Sequence, residues 1–310
     1  MPDLRGSYTV AVTPFTADGS AVDVGALRDY VDWQLAVGVP GLIVLGTTGE
    51  FLTISPDERR EIVETTVRQV AGRIPVLVGT MDAYSPVAVT RSRQAQDLGA
   101  DGLMILPPYY YTPTEDEIER YYDAISSAVS VPVMLYNNPV TSNVDMSAAL
   151  VARLARNSDN IRYIKESSQD VQRVRDVIQA SDGLMRVFAG EQIVESYLLG
   201  AIGYVNPYGN YIPRASYRIF ELLEQGRLED ARRVQRLLDD IDDIIADGHP
   251  TYGHQCYSKE LARRAGHPVG DVRPPLTTFA QLGDEGRLRA DAIEKLMGEL
   301  DELMDVLDQA

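Results

Sequence analysis

Val131-Pro132-Val133-Met134-Leu135-Tyr136-Asn137-Asn138-Pro139, followed some 30 residues after its start by Ile161-Arg162-Tyr163-Ile164-Lys165-Glu166, is the stretch that decides the fold. The first opens with a continuous apolar run and the second with an apolar run broken only by Arg162, as expected of parallel strands covered on both faces. The interval between them has room for one crossover helix. The unit recurs along the chain, with candidate strands at 8–12, 41–45, 74–78, 102–106, 131–135, 161–164, 184–188 and 201–205. Helix starts are marked between them. Ser55-Pro56-Asp57-Glu58 and Thr114 with Glu117 read as capping boxes, and Ser85-Pro86 as a cap followed by proline.

Eight β segments with intervening helices predict an α/β fold, a (β/α)8 TIM barrel whose last helix lies near 213–225. No glycine-rich dinucleotide turn follows the first strand, which disfavours a doubly wound sheet. Beyond Gly226 the pattern is helical only, at 228–246, 252–265 and 288–307, so the chain divides into a barrel over 1–226 and a C-terminal helical extension over 227–310. Asp239-Asp240-Ile241-Asp242-Asp243 resembles a metal site, but helical spacing puts Leu238, Ile241 and Ile245 on one face and the aspartates on the solvated one.

The net charge of −17 over 310 residues argues against nucleic acid and anionic lipid as partners. A single cysteine, Cys256, rules out an internal disulfide. The N-terminal residues lack a signal-peptide layout and no apolar run reaches the ~18 residues of a membrane helix, so a cytoplasmic location is expected.

In a barrel, chemistry gathers at the carboxyl ends of the strands. Those positions here read Gly46-Thr47-Thr48-Gly49-Glu50, Tyr109-Tyr110-Tyr111, Tyr136-Asn137-Asn138-Pro139, Lys165-Glu166, Gly190 after the seventh strand, and Val205-Asn206-Pro207-Tyr208 at the eighth. Lys165 is notable because only three of the 29 cationic residues are lysines, the others being Lys259 and Lys295. A buried lysine can shed its proton and attack a carbonyl; arginine cannot. All three histidines (His249, His254, His267) fall in the C-terminal region, leaving the strand ends without imidazole ligands or a Ser-His-Asp arrangement.

With these motifs in this order, the chain resembles the dihydrodipicolinate synthase / N-acetylneuraminate lyase family. The matching residues are Gly46-Thr47-Thr48-Gly49-Glu50, Tyr136-Asn137-x-Pro139 and Ile164-Lys165-Glu166. The resemblance implies a class I aldolase or lyase in which Lys165 forms a Schiff base with pyruvate or another 2-keto acid and a C–C bond to an aldehyde is made or broken. It implies Tyr136 as the general acid–base, Thr47 and Tyr110 as a hydroxyl relay, Thr47 and Thr48 as carboxylate binders, Gly46 as a further substrate-binding residue, and Gly190 and Val205 as pocket lining. It also implies a homotetramer built as a dimer of dimers, and no metal or other cofactor beyond the imine on Lys165.

The departures bear on the subtype. Relatives that make dihydrodipicolinate carry an arginine two residues after the motif proline, followed by Thr-Gly. Thr141 and Asn143 take the arginine and glycine places here. Asparagine accepts φ > 0, so the turn is expected to survive, but the bidentate grip on an amino-acid carboxylate is lost. Thr141 and Tyr208 are therefore expected to shape the pocket for another aldehyde. The leading expectation is a 2-keto-acid aldolase. The alternatives are dihydrodipicolinate synthase itself, a 2-keto-3-deoxy sugar acid aldolase or dehydratase, and a non-catalytic keto-acid binder.

Overall fold

The structure, a computed structural model, describes residues 3–246 and 253–309. Eight strands, β1 (Gly6–Val10), β2 (Gly41–Val44), β3 (Val76–Gly79), β4 (Gly102–Ile105), β5 (Val133–Asn137), β6 (Ile161–Glu166), β7 (Arg186–Ala189) and β8 (Gly203–Asn206), close into a parallel barrel in sequence order. The helices between them are α1 (Val24–Ala36), α2 (Pro56–Val70), α3 (Ser85–Asp97), α4 (Glu115–Ser126), α5 (Pro139–Ser142), α6 (Ala148–Asn157), α7 (Gln172–Ala180) and α8 (Ile193–Leu198). After β8 come α9 (Pro213–Glu224), α10 (Leu228–Ala246), α11 (His254–Arg264) and α12 (Gly283–Asp308). The fold is the (β/α)8 barrel with a C-terminal helical extension that the strand–helix alternation predicts.

Both capping boxes form, with Ser55 and Glu58 opening α2 and Thr114 and Glu117 opening α4. Ser85 differs from expectation. It is already helical, and Tyr84 holds the cap position without a side-chain bond, so Pro86 alone marks that start. Four of the eight strands (β3, β5, β7 and β8) begin and end later than the apolar runs suggest, and β6 runs two residues further. The ladder continues through polar residues, pairing Tyr136 with Lys165 and Asn137 with Glu166. On α10, Leu238, Ile241 and Ile245 are buried and the four aspartates of the cluster are exposed, the predicted division of faces. Tyr252 and His249 lie outside the described residues.

The chain groups into two compact units, Met1–Gly6 with Pro75–Val205, and Ser7–Ile74 with Asn206–Ala310. The core of the first is the strand stack of β4 to β7, including Met104, Met134, Leu135, Ile164 and Phe188, all fully buried. The second contains β1 paired on β2 in the register Tyr8↔Gly41. A Cβ at Gly41 would lie 2.5 Å from the Tyr8 ring, so only glycine permits this approach.

The second unit also holds the end of β8. Asn206 donates to Ser7 Oγ (2.9 Å) and accepts from Ser216 Oγ (2.8 Å). Asn210 Oδ1 accepts from Val12 N (2.9 Å) and Tyr30 Oη (2.7 Å), while its Nδ2 donates to Val10 O (2.9 Å). A buried polar group costs little only when so satisfied. Both asparagines are braces of the strand ends.

Candidate active site

Lys165 is the fifth residue of β6 and Tyr136 the fourth of β5, and the ladder sets them side by side. Because side chains alternate along a strand, both project from one face while Asn137 and Glu166 project from the other. Lys165 is 8% exposed, and its Nζ donates to Tyr136 Oη at 3.2 Å and lies 4.2 Å from the ring centroid. Asn138 Nδ2 also donates to Tyr136 Oη, at 2.9 Å. The phenol oxygen thus accepts two hydrogen bonds, which leaves its own proton for a third partner. An amine held against a hydroxyl with a free proton is suited to carbonyl addition and loss of water.

A polar network fixes this pair from the opposite face. Asn137 Nδ2 donates to Glu166 Oε2 (3.1 Å) and to Asp145 Oδ1 (3.1 Å), and its Oδ1 accepts from Met146 N (2.9 Å). Glu166 further accepts from Ser168 N at 2.8 Å, and Arg173 grips Asp145 through two bonds of 2.8 and 3.0 Å. Burial pushes the Glu166 carboxyl above the usual carboxylate range, whereas the Arg173 hydrogen bonds hold Asp145 below it. The sequence assigns no role to Asn138 or to this network. The adjacency of Asn137 to Tyr136 and of Glu166 to Lys165 was the available signal.

The other expected residues of this unit occupy varied settings. Gly190 N donates to Glu166 O (2.8 Å), and a Cβ at Gly190 would lie 1.8 Å from Ser167 Oγ, so the glycine lets Ser167 approach. Val205 is buried on β8. Thr141 is exposed on α5 and donates to Asn138 O at 3.4 Å. Asn143 has φ +60° at the end of α5, the left-handed turn expected of a glycine substitute, and its Nδ2 donates to Thr112 Oγ1 at 2.9 Å. Tyr110, 83% exposed at φ +80°, packs edge-on against Tyr111 with ring centroids 5.3 Å apart.

In the second unit, the Gly46–Glu50 loop follows β2. Thr48 is buried, and the Thr47 hydroxyl is buried with no protein partner among the described residues. Such an orphan in a native fold calls for a functional explanation. Gly49 has no room for a Cβ, which would lie 2.9 Å from Ala11 O. Tyr208 is buried beyond β8, and its hydroxyl donates to the Asp242 carboxylate on α10. That hydroxyl is therefore committed within the fold, and Asp242 has a structural partner although it lies on the solvated face.

A buried lysine and tyrosine are thus paired at adjacent strand ends of a closed parallel barrel. The sequence model of the Dihydrodipicolinate synthetase family matches residues 3–291. The chain belongs to that family. It is 34% identical over 297 residues to the 4-hydroxy-tetrahydrodipicolinate synthase of Pelobacter propionicus, covering 95% of this chain and 99% of that one. Among solved structures it resembles the 4-hydroxy-tetrahydrodipicolinate synthase of Methylacidiphilum fumariolicum, with TM-score 0.91 and 26% identity over 98% of this chain and 99% of that one. It also resembles a prophage protein of the same family from E. coli K12 solved in complex with pyruvate, with TM-score 0.88 and 29% identity over 94% and 98% of the two chains. The protein is an enzyme of the class I aldolase and lyase kind.

Proposed function

We propose that Lys165 attacks the keto carbon of pyruvate or a related 2-keto acid and expels water to give an iminium, the electron sink for making or breaking a C–C bond. Tyr136 delivers the proton that the departing hydroxyl needs and later returns protons to the reacting carbons. Thr47 and Thr48, with the backbone N–H groups beginning at Gly46, hold the carboxylate of the keto acid, and Thr47 with Tyr110 extends the hydroxyl relay. Gly190, Val205 and Tyr208 belong to the walls of the substrate pocket. The observation that carries the reading is the Lys165–Tyr136 contact at 3.2 Å. The unpartnered Thr47 hydroxyl supports it. An iminium supplies the electron sink by itself, so the reading calls for no metal or other cofactor.

The same reading places the enzyme in the cytoplasm as a homotetramer of paired dimers, with small-molecule keto acids and aldehydes as its partners and neither nucleic acid nor membrane among them. The exposed Tyr110 and Tyr111 support such an assembly, and among the described residues no helix is long and apolar enough to cross a membrane.

Borohydride reduction in the presence of pyruvate tests the mechanism. The expected result is one reduced pyruvyl adduct, mapped by peptide mass to Lys165 and absent from Lys165→Arg. An unmodified Lys165 at saturating pyruvate would overturn it.

The curated relative's name favours a second reading, synthesis of 4-hydroxy-tetrahydrodipicolinate from pyruvate and aspartate semialdehyde. Thr141 stands against it, because it cannot make an arginine's bidentate contact. The native protein is expected to turn over aspartate semialdehyde poorly and Thr141→Arg to improve it. Efficient turnover by the native protein establishes the second reading instead.

A further inference from the structure

The Gly46–Glu50 loop is held in a conformation its residues resist. Leu45 and Glu50, at its two edges, have φ of +59° and +55°, the left-handed region that residues with a Cβ rarely adopt. Backbone of this kind persists only where the surroundings over-determine it. Around Glu50 the surroundings are charged and dry.

Glu50 is buried, and its two carboxylate oxygens are divided between two partners. Oε1 forms an ion pair with Lys259 Nζ at 2.7 Å, and Oε2 accepts from Arg273 N at 2.9 Å. Lys259, on α11, is 2% exposed. Its Nζ also donates to Asp271 O at 2.9 Å and lies 4.0 Å from the centroid of the Phe15 ring. Arg273 approaches the same ring, with Cζ 4.0 Å from the centroid, and ion-pairs with Glu58. One helical turn before Lys259, Gln255 Nε2 donates to Thr47 O at 3.4 Å. Helix α11 therefore reaches the loop at two points, the carboxylate at its end and the carbonyl of Thr47.

We propose that Lys259 is a positioning residue, whose buried ion pair with Glu50 clamps the Gly46–Glu50 loop so that Thr47 and Thr48 can hold the substrate carboxylate. The proposal rests on the reading of this loop given above. The scarcity of lysine that singles out Lys165 singles out Lys259 as well. In a chain that otherwise uses arginine, a fully buried lysine occupies a place where a compact ammonium fits and can be titrated.

Charge at Lys259 is set by named neighbours. Glu50 faces it from the loop and Asp271 and Arg273 from the segment after α11, with Glu58 beyond Arg273. Cys256 and Glu260 share its helix and, with Arg263 and Arg287, line a cavity of about 470 Å³ beside it. Burial pulls the ammonium down to about 8, against the raising effect of Glu50. The Cys256 thiol, pushed up to about 12 by burial, stays protonated in that range. As pH rises through about 8, Lys259 turns neutral and Glu50 loses its counter-charge. The expected consequence is a weaker grip on the keto acid.

Global stability moves the other way. A lysine whose value in the folded protein is below its ordinary one adds stability as pH rises from about 8 to the ordinary lysine value. A rise in KM over that range therefore differs in sign from what Lys259 would do as a purely structural residue.

The experiment measures KM and kcat for a trapped 2-keto acid, pyruvate first, from pH 6.5 to 10 in the native protein, Lys259→Arg and Glu50→Gln. In the native protein, KM is expected to rise about tenfold across an inflection near 8, with a smaller change in kcat. Lys259→Arg keeps the charge and is expected to lose that inflection. Glu50→Gln is expected to show a raised KM at pH 7 and no inflection. A flat native KM through pH 8, or an inflection retained in Glu50→Gln, overturns the proposal. Because the native profile needs no variant, misfolding of either substitution leaves the test intact. Borohydride trapping run alongside separates the two claims. An adduct at Lys165 with a flat KM removes only the role of Lys259, whereas no adduct removes the reading beneath it.

Discussion

Replacing Tyr136 by phenylalanine isolates one oxygen. The ring is buried, 4.2 Å from Lys165 Nζ, and phenylalanine keeps both the packing and the cation–π contact. What goes is an acceptor for Lys165 Nζ and Asn138 Nδ2, together with the proton that the structure leaves free. Two lost hydrogen bonds amount to about 1–3 kcal/mol of stability, the upper part coming from the charged donor. Loss of a general acid–base group costs about 10²–10⁴ in rate, or roughly 3–5 kcal/mol of transition-state stabilisation. The catalytic loss should therefore exceed the structural one. Steady-state turnover of pyruvate with its aldehyde partner should fall at least a hundredfold in kcat, while the melting temperature drops by only a few degrees. Borohydride should still trap pyruvate on Lys165, more slowly, because the nucleophile remains. A kcat within about threefold of the native value would refute the assignment of Tyr136 as proton donor.

Two further outcomes test the frame around the site. The Glu58 carboxyl is held down to about 2, mainly by its hydrogen bond from Arg273, so its contribution to stability is present above its ordinary value of about 4.5 and disappears as pH falls toward 2. Melting curves of Glu58→Gln and the native protein should differ most above pH 5 and converge only as pH approaches about 2, and a constant gap would contradict the pairing. At Gly190, alanine places a methyl 1.8 Å from Ser167 Oγ and 3.0 Å from Glu166 O. Overpacking of this kind costs about 1–3 kcal/mol. Gly190→Ala should melt lower and the double variant with Ser167→Ala should recover part of the loss, whereas an unchanged melting temperature for Gly190→Ala would discount the contact.

Much of this was legible in the sequence, for identifiable reasons. Continuous apolar runs such as Gly102-Leu103-Met104-Ile105 suit strands buried on both faces, as in a parallel sheet, and proline-marked helix starts separate them. The strand ends were harder to read. Tyr136, Asn137, Lys165 and Glu166 are polar and look like loop, yet the hydrogen-bonded ladder holds them in place. Hydrophobicity reports burial against a core, but a ladder continues wherever a neighbouring strand offers partners. Lys165 was visible because its rarity and its position coincided. Lys259 was equally rare, but its partner Glu50 is more than 200 residues away in the chain, and only tertiary structure joins them. Asn206 had the placement of a site residue, and nothing in its sequence separates a brace from a ligand contact.

The sparse lysines have an experimental consequence of a different sort. Lys295, on α12, is exposed, whereas Lys165 and Lys259 are almost wholly withdrawn from solvent. An amine-reactive reagent meeting the native protein should tag Lys295 and leave the other two lysines untouched. Each additional lysine tag then records one opening event, of α11 for Lys259 and of β6 for Lys165. Peptide mass mapping of the tags would assign those events without a chromophore, a fusion or an engineered residue. The few positions where this chain kept an amine amount to a built-in gauge of which part of the molecule opens first.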